Sequence, residues 1–565
     1  MRALARKDLL NGDFFVESAR LPYDLPGMAP AGNLAAWLLG DVATDGTAAR
    51  VALREGSRQW TFAELASQVA KVSTVLRGLG VERGDRVLVM MRDTLEAAAS
   101  ILGAIHAGAI AVPVSELATT DDVQEYVRQA GAVIAVVDRM HEAVVDAVRT
   151  ESADLREVIA VGKTLPGTHD WQQLVDAAQP GAPVATAAGD AALLLYSAGS
   201  GPGELRAVPH SQATLAAAFE SFAQQLLGLT ATDRVLSVAR LSTAYGLGSG
   251  LMLPIAARAE SHLFPDQPKS GEVFAVIASY RPTVLFATPS VYSQLAVDAE
   301  ADAIIRPLAG LRHAVAGAEG MPERLVPRIR SVLGTEVLVG YGLTEIFQFA
   351  LAGSSADPGA RPGVCGKPLG GVRARLVDEE RRVVGADEIG TLELSCGSLF
   401  AGYWGGSQTG EVQLRTDGWF TTRDRFMVDR DGYFHHCGRV DDLFKVGGKW
   451  VSPSEVERAL TAHEAVWEAA VIGADDDEGL SKPLAFVVTN VGHEGGPELE
   501  AALKEYVKGV LAPYKYPRWI EFVESLPRGP GGKLLRYKLK PRQRARKAEA
   551  GMITGTMPRL KLPTK

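Results

Sequence analysis

A glycine- and serine-rich segment at 196–210 directly follows the apolar run 191–195. Backbone amides freed by glycine, with hydroxyl groups beside them, can wrap phosphate oxygens, and Ser197, Gly199 and Ser200 are the candidates here. A surface loop between a strand and a helix explains such a segment about as well. On its own, the segment is a weak indication of a phosphate site.

A second glycine-containing segment, 339–345, also follows a predicted strand. Its glycines allow a ligand to approach the backbone, while Thr344 and Glu345 offer oxygen atoms to a phosphate and to a hard cation such as Mg²⁺. The alternative is a glycine turn with a capping threonine.

The third candidate is a cluster of polar residues spread over 421–424, 431–433 and 438–455. Asp424 can accept hydrogen bonds from ribose hydroxyls, and Arg439 is a donor fork suited to ribose or phosphate. Taken singly, these residues are better explained as hairpin turns and surface charges.

The fourth candidate is Lys533, which lies within the glycine-rich segment 526–536. A lysine on such a loop can neutralise charge that develops on a transferring phosphoryl or acyl group. An isolated lysine of this kind is more often simply solvated.

The elements that must position these residues alternate between apolar strand-like runs and helical patterns over the first 400 or so residues. This alternation predicts α/β layers with largely parallel sheets. From about residue 371 the runs become short and alternating, which predicts a β-rich subdomain. The predicted parallel strands are 86–91, 132–137, 158–161, 234–238, 283–287 and 336–339.

The segment after residue 437 has its own pattern, with helices at 454–462 and 497–511 and strands at 466–472 and 484–489. We therefore predict an N-terminal domain over 1–437, a hinge at 438–442, a small mobile α+β lid domain over 443–542 and a basic tail over 543–565. The fold class expected is α/β, with two α/β-layered sheets and the β-rich subdomain in the large domain.

The length, charge and cysteine content of the chain limit the classes of function that it can have. A chain of 565 residues with 47% hydrophobic content can bury more than one core. Its charge of -8 is mixed along the sequence, which argues against a nucleic-acid or membrane partner. Three scattered cysteines predict a reducing cytoplasm, and the apolar stretch 97–115 reads as a buried helix and strand rather than a membrane span.

In this order and spacing, the four segments resemble the core motifs of the adenylate-forming superfamily of acyl-CoA synthetases. The resemblance covers about 33–542 and narrows to the benzoate-CoA ligase family. The resemblance to the benzoate-CoA ligase family in particular depends on six segments: Ala244-Tyr-Gly-Leu-Gly248, Arg361-Pro-Gly-Val-Cys-Gly-Lys-Pro368, Gly402-Tyr-Trp404, Lys449-Trp-Val-Ser-Pro453, Lys482-Pro-Leu-Ala-Phe-Val-Val488 and Ala512-Pro-Tyr-Lys-Tyr-Pro-Arg-Trp519.

The resemblance implies two steps: a carboxylate attacks the α-phosphate of ATP to give an acyl-adenylate and pyrophosphate, and the coenzyme A thiol then displaces AMP. It implies that Lys533 and Thr344 act in catalysis and that Glu345 binds Mg²⁺. Asp441 matches the hinge residue. Nucleotide contacts are implied for Ser197, Gly199, Ser200, Arg206, Gly317, Glu319, Tyr341, Asp424 and Arg439; an aryl pocket for Ala244, Tyr245, Gly246, Leu343 and Gln348; and a coenzyme A side for Lys445, Gly447, Gly448 and Trp450.

The sequence departs from the family pattern in the phosphate loop. The usual Thr-Gly-x-Pro-Lys-Gly is replaced by Gly201-Pro-Gly-Glu-Leu-Arg206 with one extra residue. Arg206 can substitute for the missing lysine, but Glu204 would repel a triphosphate. The usual Thr-Gly-Asp is Thr422-Arg-Asp here. Leu343 and Gln348 stand where benzoate ligases tend to have Ser and His, so the aromatic acid is left open among benzoate, anthranilate and hydroxybenzoates.

We favour an aryl-CoA ligase, because Glu345, Asp424, Arg439, Asp441 and Lys533 are intact. The alternative is an acyltransferase on the same scaffold, moving an aryl group such as anthraniloyl from coenzyme A to an acyl carrier protein in secondary metabolism. A non-catalytic binding protein is the third possibility, disfavoured by the number of polar catalytic groups present.

Overall fold

The chain forms two compact units, Met1–Val440 and Asp441–Lys565. The division falls inside the segment predicted as the hinge, whose role in domain movement stays a prediction. This computed structural model describes residues 16–17, 32–138, 154–162, 166–198, 205–266, 269–302, 310–318, 320–321, 325–354, 364–405, 417–440, 442–476, 478–528 and 534–539. The predicted basic tail over 543–565 lies outside these ranges.

A seven-stranded sheet forms one part of the N-terminal unit. Neighbouring strands are parallel except for the first pair, which is antiparallel. Its central strands are buried almost without interruption, as expected for a parallel sheet covered on both faces. In spatial order the strands are Leu205–Ser211, Ala191–Ala198, Ile110–Val114, Arg86–Met90, Ala132–Asp138, Glu157–Val161 and His169–Asp170.

A fourteen-stranded sheet forms the other part. Its first seven strands in spatial order are Arg58–Thr61, Val51–Glu55, Glu260–His262, Arg234–Ser237, Val284–Ala287, His313–Ala316 and Val337–Gly342. The first two of these strands form an antiparallel hairpin, and every other pair of neighbouring strands in this half of the sheet is parallel. The remaining seven are Phe349–Ser354, Val364–Pro368, Phe434–Arg439, Phe420–Val428, Ile389–Ser395, Arg373–Val377 and Val16–Glu17, all antiparallel.

Sequence patterns therefore predicted the α/β class correctly, and the β-rich part is present as antiparallel strands. These strands extend the second sheet by hydrogen bonds, since Leu351 pairs with Pro368 and Gly366 with Phe434. The strand predicted at 336–339 runs on to Gly342, because 340–342 pair with the strand that doubles back. Val337–Gly342 is thus the strand at which the sheet changes from parallel to antiparallel.

Helices cover both sheets, and local sequence explains where several begin. Thr61 and Glu64 form a capping box at one helix, and Thr119 and Asp122 form another. Leu95–His106 is buried along its whole length, as predicted for the apolar stretch at 97–115. The helices are Leu34–Leu39, Phe62–Gly78, Leu95–His106, Thr120–Ala130, Trp171–Ala177, Thr214–Ala218, Phe219–Leu226, Ala244–Leu247, Gly248–Met252, Leu253–Ala256, Ser270–Tyr280, Pro289–Asp302, Leu325–Leu333 and the single turn Thr344–Ile346.

The C-terminal unit packs two helices, Pro453–Thr461 and Pro497–Val510, with a three-stranded sheet of Val466–Asp475, Ser481–Thr489 and Trp519–Phe522. Both helices and the first two strands match the predicted ones to within a few residues, whereas the strand Trp519–Phe522 was not predicted. Ser452 caps the first helix by accepting a hydrogen bond from the Glu455 amide at 3.3 Å, and Pro453 occupies its first turn. The hairpin Phe444–Val446 with Lys449–Val451 and the turn Arg536–Lys538 complete the unit. In the described part of the chain, every helix is too short or too polar to cross a membrane.

Glu393 is a fully buried carboxylate in the antiparallel half of the large sheet. Arg375 donates to its Oε2 at 2.7 Å, the Thr421 hydroxyl donates to its Oε1 at 2.9 Å, and Arg381 forms a second ion pair. Because both carboxylate oxygens are satisfied, the group is tolerated inside the protein.

Replacing Glu393 with Ala should lower the free energy of unfolding of the N-terminal unit by about 3–5 kcal/mol, since two arginines lose the buried charge that compensates them. Chemical unfolding followed by tryptophan fluorescence measures the change. The matched control is Glu380→Ala, because Glu380 pairs with Arg382 at the surface and its loss should cost no more than about 0.5 kcal/mol. Equal effects of the two substitutions would contradict the assignment.

Candidate functional site

The centre of the site is the turn that follows strand Val337–Gly342. Here the chain reverses through Thr344–Ile346, and Phe347 has a φ of 66° before the antiparallel strand begins. Gly342 is required in this reversal, because a Cβ there would lie 2.3 Å from the Gln348 carbonyl oxygen. The reversal places Thr344 and Glu345 beyond the end of the last parallel strand, where ligands bind in many α/β sheets.

Asp424 lies on the neighbouring antiparallel part of the sheet and is buried. The Tyr341 hydroxyl donates to its Oδ2 at 2.8 Å, and His436 Nε2 lies 3.2 Å from its Oδ1. Burial raises the pKa of Asp424, but His436, Arg439 and the Tyr341 hydroxyl outweigh burial and lower it to about 2. A permanently ionised acceptor is therefore held at this position.

Tyr341 and Arg439 frame this carboxylate. Burial and the neighbouring Asp424 raise the pKa of Tyr341, which keeps its hydroxyl protonated as a donor. The Tyr341 ring packs edge-on against Phe426 and stacks near His436. Arg439 pairs in register with Asp424, and its Nε is buried without a hydrogen bond to any described residue. An unpaired buried donor beside an ionised acceptor is suited to a ligand hydroxyl or phosphate.

Glu345 is the second buried carboxylate of the site. The Tyr403 hydroxyl donates to its Oε1 at 2.6 Å, and no described residue donates to Oε2. Arg206, itself only 5% exposed, lies with its guanidinium carbon 5.7 Å from the centre of the Tyr403 ring. Burial and Glu345 raise the pKa of Tyr403, while Arg206 lowers it. Arginine, tyrosine and glutamate therefore form one connected polar cluster.

His210 fixes the backbone of the same turn. Its Nε2 donates to the Thr344 carbonyl oxygen at 2.7 Å, and its ring packs edge-on against Phe347. Burial lowers the pKa of His210 to about 4, so the imidazole is neutral at pH 7. The Thr344 hydroxyl makes no hydrogen bond within the described part of the chain, which leaves it available to a ligand.

The predicted aryl residues also come together around this turn. The Tyr245 hydroxyl donates to the Val315 carbonyl oxygen at 3.0 Å, and its ring stacks on Phe349 with centres 5.5 Å apart. Phe349 lies directly over Gly317 and Gly340, where an added Cβ would approach its ring to 2.5 Å and 2.0 Å. The glycines thus make room for an aromatic ring at the ends of two parallel strands.

Gln348 is the polar member of this set of predicted aryl-pocket residues. Its Nε2 lies 3.4 Å from the Ala244 carbonyl oxygen, in the space that a Cβ on Gly248 would occupy. Its Oε1 is buried and accepts no hydrogen bond from the described residues. Leu343 lies half-buried one residue before Thr344 and adds an apolar surface.

The structure brings together most of the predicted residues of the N-terminal unit. Ser197 lies in register with Arg206, and Gly246 takes its place in the short helix that bears Tyr245. Gly447 and Gly448 form the exposed turn of a hairpin in the C-terminal unit, with positive φ at both, and Lys445 lies exposed on the strand before it. Gly199, Ser200, Glu319, Asp441, Lys533 and the side chain of Trp450 lie outside the described residues, so their roles stay predictions.

Sequence reasoning missed three side chains that contact the predicted site residues: Tyr403, His436 and Phe349. Tyr403 was noted only as part of a segment that resembles benzoate-CoA ligases. Its contact with Glu345 could not be predicted, because the two residues are 58 positions apart in the sequence. His436 could have been found from its strand, since the alternation after Asp431 points it to the same face as Asp424. Phe349 carries no local signal, because a phenylalanine in a strand usually reads as core.

Two family matches span most of the chain. Residues 41–404 match the AMP-binding enzyme family, and residues 455–533 match the AMP-binding enzyme C-terminal domain. The sequence is also similar to a 4-hydroxybenzoate–CoA/benzoate–CoA ligase of Rhodopseudomonas palustris. The two are 35% identical over 499 residues, which cover 88% of this chain and 91% of that protein.

Solved structures show the same similarity. The anthranilate CoA ligase AuaEII, in complex with anthranoyl-AMP, has a TM-score of 0.86 and 29% identity, covering 93% of this chain and 99% of that one. A benzoate CoA ligase from Burkholderia xenovorans LB400 has a TM-score of 0.82 and 32% identity, covering 90% of this chain and 99% of that one.

Replacing Asp424 with Asn should weaken the binding of AMP about 10- to 100-fold, because a charge-assisted hydrogen bond to a ribose hydroxyl is lost. Isothermal titration calorimetry with AMP measures the change. Asp429→Asn is the matched control, since Asp429 lies in the turn that directly follows strand Phe420–Val428 and its Oδ2 is 2.9 Å from His435 Nε2. Unchanged AMP affinity in Asp424→Asn would rule out the ribose contact.

Proposed function

Because this chain belongs to the AMP-binding enzyme family and, within it, to the aryl-CoA ligases, we propose that it activates an aromatic carboxylate with ATP and joins it to coenzyme A. Enzymes of this kind are AMP-forming acid–thiol ligases that use ATP and coenzyme A. The identity of the acid, and the roles of individual residues, are the parts of this proposal that go beyond family membership.

One observation supports adenylation above all: two buried carboxylates of different roles flank one strand end. Asp424 is held ionised by Tyr341 and His436, which suits it to ribose hydroxyls. Glu345 keeps Oε2 free of hydrogen bonds from the described residues while Tyr403 orients Oε1. A protein that had lost ATP chemistry would have no need to keep both charges inside its fold.

Arg206 is our candidate for the cation that the altered phosphate loop no longer supplies as lysine. It is buried and lies in the first strand after the loop, beside Tyr403. A fixed guanidinium in a site of low dielectric stabilises negative charge without reorganisation. We infer that it offsets charge on the phosphates of ATP.

The donor set around Glu345 also fits Mg²⁺, which binds oxygen ligands and usually keeps several waters. Glu345 would hold the ion through its unpaired Oε2, with Tyr403 fixing the carboxylate. When bound, Mg²⁺ supplies positive charge to the phosphates.

In the first step, a carboxylate oxygen of the acid bonds to the α-phosphorus, the bond between the α-phosphorus and its bridging oxygen breaks, and pyrophosphate leaves. The Thr344 hydroxyl would donate to the α-phosphate, and the hydrogen bond from His210 to the Thr344 carbonyl oxygen supports this role because it restrains the same turn. In the second step, the thiol of coenzyme A bonds to the acyl carbon, loses its proton and displaces AMP. The catalytic role of Lys533 in the first step stays a prediction, as does the role of Asp441 as the hinge between the two steps.

The transferase alternative receives no support from the relatives, which are named as CoA ligases. Transfer to an acyl carrier protein, a place in secondary metabolism and a cytoplasmic location therefore stay predictions from the sequence.

For the acid itself, Gln348 favours a ring that carries a hydrogen-bond donor. Its buried Oε1 accepts no hydrogen bond from described residues, and a buried acceptor left unpaired costs about 1–3 kcal/mol. The amino group of anthranilate or the hydroxyl of a hydroxybenzoate would satisfy this oxygen, whereas benzoate would leave it unpaired. We therefore propose an amino- or hydroxybenzoate as the preferred substrate.

Pyrophosphate release from ATP and Mg²⁺ should depend on an aromatic acid, and Lys533→Ala should abolish it. The same preparation is assayed for transfer from preformed aryl-CoA to a carrier protein. Absence of acid-dependent pyrophosphate, together with thioester exchange from preformed aryl-CoA, would overturn the ligase assignment in favour of the transferase.

Gln348→Leu should lower the ratio of kcat/KM for anthranilate or hydroxybenzoate to that for benzoate about tenfold, since one buried hydrogen bond is lost. Competition between the acids, with product thioesters separated by chromatography, measures the ratio. Gln129→Leu is the matched control, because the Gln129 amide also donates to a backbone carbonyl and leaves Oε1 buried, but on helix Thr120–Ala130. An unchanged ratio in Gln348→Leu would remove the donor argument.

A further inference from the structure

Arg240 lies between strand Arg234–Ser237 and the short helix Ala244–Leu247, and its side chain is only 15% exposed. Its guanidinium contacts two carboxylates. Nε is 3.3 Å from Glu116 Oε1, and Nη1 is 3.6 Å from Asp93 Oδ2. Such a buried arginine has a strong preference for one position, because leaving either charge unpaired is costly.

The three side chains come from two different sheets. Asp93 and Glu116 follow strands Arg86–Met90 and Ile110–Val114 of the seven-stranded sheet, whereas Arg240 follows a strand of the fourteen-stranded sheet. Arg240 Nη1 also donates to the carbonyl oxygens of Phe264 and Pro265, each at 2.9 Å. The cluster therefore joins the two sheets at the carboxyl ends of their parallel strands.

The backbone of Arg240 continues this arrangement into the next helix. Its carbonyl oxygen accepts from the Thr243 amide at 3.0 Å and from the Thr243 hydroxyl at 2.9 Å. The Thr243 hydroxyl in turn caps the helix by accepting from the Gly246 amide at 3.1 Å. A Cβ on Gly246 would lie 2.0 Å from the Arg240 carbonyl oxygen, so the helix is packed directly on this residue.

That helix carries two groups of the aryl site. Tyr245 stacks on Phe349, and the Ala244 carbonyl oxygen is the one nearest the Gln348 amide. Asp93 adds a second restraint, because its Oδ1 accepts from the Leu241 amide at 3.1 Å. The helix continues without a break through Gly248–Met252 into Leu253–Ala256, so these contacts fix its first turn, which bears Tyr245.

We propose that Arg240 is a positioning residue for the aromatic-acid site, with Asp93 and Glu116 fixing its guanidinium so that its backbone holds the helix bearing Tyr245. The proposal rests on the proposed function for the identity of the ligand, but the positioning itself is a property of the fold. The same arrangement cannot be made by lysine, since one ammonium does not reach two carboxylates and two carbonyls as a fork does.

Two variants, Arg240→Met and Arg240→Lys, test the proposal in the full-length chain, with Glu116→Gln as the milder change. The KM for the aromatic acid should rise roughly tenfold or more in Arg240→Met and less in Arg240→Lys, while the KM for ATP stays within about twofold, because only the acid wall moves. Equal rises in both KM values would overturn the assignment by indicating general damage.

Arg258→Met is the matched control. Arg258 is also largely buried, pairs with Asp45 at 2.7 Å and donates to the Leu38 carbonyl oxygen at 2.6 Å, yet it holds a different part of the N-terminal unit. It should leave the KM for the acid unchanged. An equal rise in this control would also overturn the proposal.

Amide hydrogen exchange of the segment 241–249, followed by mass spectrometry, tests positioning without any turnover. Exchange should be at least severalfold faster in Arg240→Met and Glu116→Gln than in the wild type, and unchanged in Arg258→Met. Unchanged exchange in both variants would sink the proposal. Faster exchange in a protein that activates no aromatic acid would instead uphold the positioning role and reject the proposed function.

Discussion

The hydrogen bond from Tyr341 to Asp424 is the interaction on which the arrangement of the site depends. It crosses from the last parallel strand to the antiparallel half of the same sheet, so the ionised carboxylate and the turn at Thr344 share one rigid support. Moving a charge into the interior is tolerated only where donors are already in place. The sheet supplies these donors from two strands, Tyr341 from the last parallel strand and His436 from an antiparallel one.

Much of the fold followed from the sequence, since parallel strands buried on both faces appear as continuous apolar runs such as 132–137. The acidic groups Glu345 and Asp424 were identified because their motifs are local and ordered along the chain. The contacts of Tyr403 and Arg240 could not be predicted from the sequence. Each residue contacts a partner far away in sequence, and only the fold brings the partners together. The continuity of the β-rich part with the large sheet was missed because strand pairing leaves no trace in composition.

The residues predicted to contact the aromatic acid combine apolar and polar groups around one turn. Gly317 and Gly340 leave room that Phe349 now fills, and Gln348 brings an amide into a surface otherwise formed by rings and aliphatic groups. Asp424 and Glu345, by contrast, are fixed by hydrogen bonds with Tyr341, His436 and Tyr403.

The order of strands in the large sheet also bears on synthesis of the chain. Leu53 cannot pair with its parallel neighbour until Ser261 has been synthesised. Val16 likewise has no partner until Ala374 has been synthesised. At ribosomal rates of roughly 5–20 residues per second, the N-terminal hairpin waits on the order of 10–40 s for its partner strand. During that interval its edge is an exposed template for pairing with other chains, so this protein should depend on chaperones during translation more than a domain built from local contacts.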